Sequence, residues 1–285
     1  MSSEFVICPE CGHENDYSVA NCRCGRFIGF PNRRDAAEQQ AELETRYSKA
    51  ISSACSRGVD ALIDELALLV TNATPVICMS IEAADDITRG AKYKNYHSRV
   101  DRGERNLAAK INESARTLAE AKLYPGFFMK IHYAALSTNG RGLVNYGDLA
   151  LSWKVTEQYL ERRISVHEEN SFDFYNRHSL GDQNTPPPKG YAGVWGDRKK
   201  VVTAKLEARL TPGTSTTSIA GMVLGNGTGR ETDDFVEVAV YEDKGIDALD
   251  LQSVTVQNPP TNGVNQQRLE LVEATCATRG IAFFT

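Results

Sequence analysis

The chain has 285 residues, 41% hydrophobic and 24% charged, with a net charge of -5. That suits one large domain or two modest ones of ordinary globular composition, and the negative balance argues against wrapping nucleic acid over the whole surface, leaving only local basic patches for such contacts. No apolar run nears the ~18 residues of a spanning helix. The start, MSSEFVICPEC, lacks a basic segment ahead of a long apolar run, so a cytoplasmic protein with no membrane partner is expected.

The first motif in the chain is Cys8-Pro9-Glu10-Cys11-Gly12-His13, followed by Cys22-Arg23-Cys24-Gly25. Two residues between the first pair let both thiolates of a tight turn face one ion. The glycine after each pair lets the backbone curl towards the sulfurs. Four thiolates form a closed tetrahedral site, which predicts a structural zinc on Cys8, Cys11, Cys22 and Cys24. The second pair is tighter than the common ribbon pattern, and His13 is the spare ligand. Cys55, Cys78 and Cys276 sit in mixed or apolar surroundings and read as small hydrophobic residues. Arg23, Arg26, Arg33 and Arg34 form a basic cluster that can meet a phosphate backbone, dock a protein or cap the next helix.

A helical segment follows. Ala36, Ala37, Leu43, Tyr47, Ile51 and Ala54 recur at near-helical spacing, predicting a helix over 34–56 that Gly58 ends. A second is expected over 60–71, broken by Pro75. Val76–Met79 fits either a strand or the start of a helix. From 93 to 121 the pattern is again helical, with Leu107, Ile111, Ala115, Leu118 and Ala119 as its apolar stripe.

From Pro125 the composition turns mixed. Strands are expected over 127–133, 148–153, 219–224, 234–241 and 253–257, and helices over 195–210 and from Gln266. Gly225-Asn226-Gly227-Thr228-Gly229 predicts a hairpin-like turn, and Pro186–Pro188 a stiff loop. The fold class is therefore α+β, in three parts: a zinc ribbon over 1–32, a helical region over 33–124 and an α+β domain over 125–285.

The most informative strand is Phe235-Val236-Glu237-Val238-Ala239-Val240-Tyr241. Period two places Val236, Val238 and Val240 on one face, and Phe235, Glu237, Ala239 and Tyr241 on the other. A carboxylate between Phe and Tyr is costly unless it is paired, exposed or lining a cleft. Clefts are where such perturbed carboxylates are used.

Three stretches now carry a resemblance: Gly142–Asp148 with Arg162–Val166 and Glu169–Ser171, then Trp195–Arg198 leading to Lys205, then Asp234–Tyr241. Together they resemble the ADP-ribosyltransferase-like domains of bacterial toxins, over about half the chain, and the cysteine-rich start resembles the zinc-ribbon leaders that accompany such domains. The resemblance implies a mixed α/β ADP-ribosyltransferase-like fold that consumes NAD. It implies that Glu237 orients the nicotinamide ribose and stabilises the oxocarbenium-like state. It further implies a cofactor grip from His132, Arg141 or Arg163, and a ring, Tyr146, for the nicotinamide. Phe235 replaces the Gln or Glu that arginine-modifying members carry two positions before the glutamate, and Ser215–Ser218 reads as a loop, not as the family's Ser-Thr-Ser element. The implied acceptor is then RNA, DNA or a protein side chain other than arginine. Such a toxin implies an antitoxin or chaperone partner. Two alternatives stand beside it: a non-enzymatic zinc-ribbon adaptor, and a ribonuclease-type toxin using His132, His167 or His178.

Overall fold

The computed structural model of the protein describes residues 5–103, 110–182 and 184–285. The ribbon opens with a hairpin, β1 (Phe5–Ile7) against β2 (Glu14–Asp16). There follow α1 (Pro31–Glu38), α2 (Gln40–Arg57), α3 (Asp60–Thr71), β3 (Thr74–Met79), α4 (Ile81–Thr88), α5 (Tyr96–Asp101) and α6 (Lys110–Leu123). Then come β4 (Ile131–Ser137), β5 (Leu149–Trp153), β6 (Ile164–His167), α7 (Ser171–Arg177), β7 (Ala192–Val194), α8 (Arg198–Leu206) and α9 (Thr216–Val223). The chain finishes with β8 (Leu224–Gly225), β9 (Asp234–Phe235), β10 (Glu237–Tyr241), β11 (Leu251–Val256), α10 (Gly263–Arg279) and β12 (Ala282–Phe284).

One eight-stranded sheet organises these elements, in the order β12-β11-β5-β3-β4-β10-β6-β7. Neighbours are antiparallel except β11 and β12, which run parallel on either side of α10. The architecture is thus mixed α+β. Residues 33–124 supply β3, which lies in the middle of the sheet between β5 and β4. Among the described residues no helix is long and apolar enough to cross a membrane.

Strand alternation decides where the core sits. Val238 and Val240 of β10 pair with Ala134 and His132 of β4, and with Val166 and Ile164 of β6. The valines join Leu136, Leu149, Leu151 and Val254 in the main core, under Leu43, Leu66, Val202, Leu206 and Val272 of the helices. The opposite face holds smaller clusters. Tyr17 of the ribbon packs there with Tyr124, Phe127, Ile131 and Tyr241, and Phe235 packs with Leu143.

Several expected elements take another form. The helix over 34–56 is divided at Gln39, whose amide oxygen accepts from the Gly190, Tyr191 and Ala192 amides at 3.0, 3.2 and 3.2 Å. The pattern over 93–121 is not one helix: Tyr93 bridges to Ile246 in extended form, and the Asn95 side chain caps α5. Leu118 is exposed while Ala119 is buried; Leu107 and the Ile111 side chain lie outside the described residues. Phe128–Lys130 is a 3-10 turn, and the strand expected at 127 begins at Ile131. Residues 219–224 do not form a strand. Ser215 caps α9 by accepting from the Ser218 amide, so Ile219 and Val223 are buried at helical spacing.

Candidate functional site

The metal-ligating candidates come together as expected. The ligand atoms of Cys8, Cys11, Cys22 and Cys24 lie within 4.8 Å of one another, with Cys8 and Cys24 sulfurs 3.8 Å apart and those of Cys11 and Cys22 3.6 Å apart. Tetrahedral thiolates bound at ~2.3 Å sit about 3.8 Å from each other, so the four can hold one metal ion. Two similar turns build the site. In the first the Cys8 amide donates to the His13 carbonyl and Gly12 to Cys8; in the second Cys22 donates to Arg26 and Gly25 to Cys22. Gly12 and Gly25 take the left-handed conformation these turns need. Arg34 does not belong to an exposed basic cluster: its guanidinium donates to the Tyr17, Val19, Ile28 and Gly29 carbonyls and fastens the ribbon to α1.

The second candidate lies on the sheet face opposite the main core. β3 pairs with β4 only from Thr74 to Val76, then continues to Met79 paired with β5 alone. The sheet opens there into a cavity of about 430 Å³, lined by Val76–Cys78 on one side and Tyr133–Ala135 on the other. This is an ordinary size for a small-molecule site. Glu237 and Tyr146 both line it.

Glu237 begins β10 opposite Ala135 and His167 and is 5% exposed. Ser171, first residue of α7, donates its hydroxyl to Glu237 Oε1. No Lys or Arg forms an ion pair with Glu237 among the described residues, so neither the paired nor the exposed reading of this carboxylate holds. Burial pushes its carboxyl up to about 8, against hydrogen bonds from Ser171 that pull it down. Glu237 therefore holds a proton at neutral pH. Behind it a buried polar chain crosses the strands: Asn32 Nδ2 donates to Ser165 Oγ (3.1 Å), Ser165 Oγ meets His167 Nε2 (2.9 Å), and His167 Nε2 meets the Tyr124 hydroxyl (3.2 Å). Burial lowers His167 to about 4, so it stays neutral.

Tyr146 reaches the cavity from the loop after β4. A Cβ on the adjacent Gly147 would meet the Met79 backbone at 2.4 Å, so only glycine lets this loop lie against β3. The Tyr146 ring stands edge-on to Phe235 at 6.5 Å, with the Arg230 guanidinium 4.7 Å from its centre. Arg230 Nε also donates to the Asn145 carbonyl at 2.8 Å. On the far wall Arg116 Nε meets Glu120 Oε1 at 3.0 Å, Glu120 Oε2 meets His97 Nε2 at 2.6 Å, and Lys94 and Arg99 add further cationic groups. The cavity thus combines a protonated buried carboxyl, aromatic rings and several cations. It suits a ligand with an anionic portion and a planar ring.

The remaining predicted grip residues are elsewhere. His132 points to the main-core face opposite Val240 and is 1% exposed, neither a cavity residue nor a solvent-facing one; burial lowers it to about 4. Arg163 meets Glu242 Oε2 at 2.7 Å, far along the strand from Glu237. Arg141 is exposed and not on the cavity wall. Arg230, Arg116 and Ser171 were not anticipated. Of the three, Ser171 left a signal: it lies in the Glu169–Ser171 stretch that carries the resemblance, and Asn170 before it is a helix-capping residue. The histidines of a nuclease do not gather either: His132 and His167 lie on opposite sheet faces, and His178 stacks between Phe174 (4.5 Å) and Tyr191 (5.0 Å). Comparison with protein-family models and with curated proteins gives no match for this chain.

Proposed function

We propose that this chain is an NAD-consuming ADP-ribosyltransferase of bacterial toxin type behind a small structural zinc ribbon. It acts in the cytoplasm and is restrained by an antitoxin or chaperone protein. The observation that carries the reading is the shared cavity, in which the buried Glu237 and the ring of Tyr146 sit among cations from Arg230, Arg116, Arg99 and Lys94. Each part has a task in the chemistry. The cations meet the diphosphate, and the aromatic wall takes the nicotinamide ring. The bond between ribose C1′ and the nicotinamide nitrogen breaks, nicotinamide leaves with the electron pair, a Glu237 carboxylate offsets the positive charge on C1′, and a nucleophilic O or N of the acceptor bonds to C1′ as its proton passes to solvent. The cationic nicotinamide ring favours loss of the proton that burial leaves on Glu237. Phe235, packed into the cavity wall, offers no polar group to position a guanidinium acceptor. That favours a nucleic acid or a protein side chain other than arginine.

The test is transfer of label from NAD carrying a labelled adenylate phosphate. Wild-type protein and Glu237→Gln are incubated with RNA, DNA and cell extract. The wild type labels one of these fractions and releases nicotinamide, and the variant falls by about 100-fold or more. Absence of label transfer and nicotinamide release in every fraction, or full activity in Glu237→Gln, would overturn the reading.

A further inference from the structure

A second cavity, of about 680 Å³, lies where the ribbon meets the other end of β4 and β10. Its composition differs from the first. Four cations line it, Lys130, Arg162, Arg163 and Lys244, against two carboxylates, Glu242 and Asp243. The local surplus is positive in a chain whose net charge is -5. Arg163 is committed to Glu242, and Lys130 lies 3.4 Å from Asp243. Arg162 and Lys244 are exposed, and neither has a carboxylate partner among the described residues.

Aromatic rings interleave with these cations. The Arg162 guanidinium is 4.7 Å from the centre of the Phe27 ring, Arg163 is 4.6 Å from Phe30 and 5.0 Å from Tyr159, and Lys130 is 5.5 Å from Tyr241. A guanidinium held over a ring is fixed in place while its N–H groups remain available to phosphate oxygens. Guanidinium planes and aromatic rings are also the surfaces on which unpaired bases stack. A paired duplex hides its base faces and gains nothing from such rings.

We infer that this ribbon–sheet groove binds a single strand of nucleic acid, with Arg162 and Lys244 on its phosphates and the Phe27–Arg162 layer against a base. The site is independent of Glu237 and stands whether or not the chain consumes NAD. Part of the groove belongs to the ribbon, through Val19–Asn21, Phe27 and Phe30, so the cysteine turns support one wall of the groove.

The experiment uses the full-length, metal-loaded protein and fluorescence anisotropy with labelled mixed-sequence 12-nucleotide RNA, the matching DNA strand and the DNA duplex, at low and moderate salt. Single strands bind at low salt at least tenfold more tightly than the duplex, and the RNA and DNA arms show which sugar is preferred. Arg162→Glu with Lys244→Glu weakens binding at least tenfold and flattens the salt dependence. Phe27→Ala weakens it with the salt slope kept. Lys49→Glu, exposed on α2, is the charge control and changes little. Arg162→Gln, a milder change, gives an intermediate loss, and an unchanged Tm for each variant shows that the fold is intact. The inference is overturned if no single strand binds at low salt, if the duplex binds equally well, or if the Arg162 and Lys244 variants bind like the Lys49 control.

Discussion

The two faces of β10 show what one strand can be asked to do. Val238 and Val240 point into the main core and are sealed by helices. One residue away, Glu237 points into a polar cavity and Ala239 faces a layer where Asn32, Ser165 and His167 are hydrogen-bonded. On the apolar face β10 contributes only valines, which are held by packing alone. The other face holds a carboxyl that accepts a hydrogen bond from the Ser171 hydroxyl, and its stability depends on protons and on hydrogen bonds. The main core and the candidate cavity are thus separated by the pleat of a single strand.

The largest expected effect breaks the apolar side. Val238→Asp places a charge with no partner in the core, costing about 4 kcal/mol or more. It should be recovered only as insoluble or unfolded protein; a folded variant with wild-type urea resistance would show that the two faces are not distinct. The middle effect tests the polar side. Asn32 is 1% exposed and its Nδ2 donates to the Arg163 carbonyl (2.9 Å), to Ser165 Oγ (3.1 Å) and to the Ala239 carbonyl (3.0 Å). Asn32→Ala should lose about 2–3 kcal/mol in urea unfolding. Asn32→Asp should lose more, because a carboxylate would then face two carbonyl oxygens.

The smallest effect is a gain. The Glu237 carboxyl is raised from its ordinary 4.5 to about 8. Its protonated form is favoured in the folded chain, so its contribution is complete below pH 4.5 and is lost as pH rises towards 8. Glu237→Gln keeps the acceptor for Ser171 and carries no charge. The variant should match the wild type near pH 4.5 and exceed it at pH 8 by about 1–2 kcal/mol, a Tm gap of a few degrees. A Tm gap that stays constant over this range would contradict the buried, protonated carboxyl.

Much of this comparison was legible in the residues. The Val236, Val238, Val240 alternation predicts the core face because the side-chain period of a strand is strict. The cysteine spacing predicts the metal site because ligand geometry is local. What needs distant partners was not legible. Arg230 reads as part of a turn, and Arg116 as a solvent-facing helix residue, until the opening between β3 and β4 brings them around one space. The apolar run Ile219–Leu224 fits a strand as well as a helix by pattern alone, and the Ser215 cap decides for the helix. His132, chosen for its chemistry, is buried on the main-core face, since strand parity places it opposite Val240 with its ring 5.8 Å from that of Tyr93.

The Asn32–Ala239 hydrogen bond spans 207 residues of sequence, and this has a consequence for synthesis. At about 5–20 residues per second the ribbon emerges roughly 10–40 s before the strand that receives it. The cysteine turns can close as soon as an ion reaches them, while Tyr17, Phe30 and Asn32 wait for β10. During that interval the aromatic side of the ribbon is exposed to the crowded space outside the ribosome. The later-made β10 therefore sets when the earlier-made ribbon can dock.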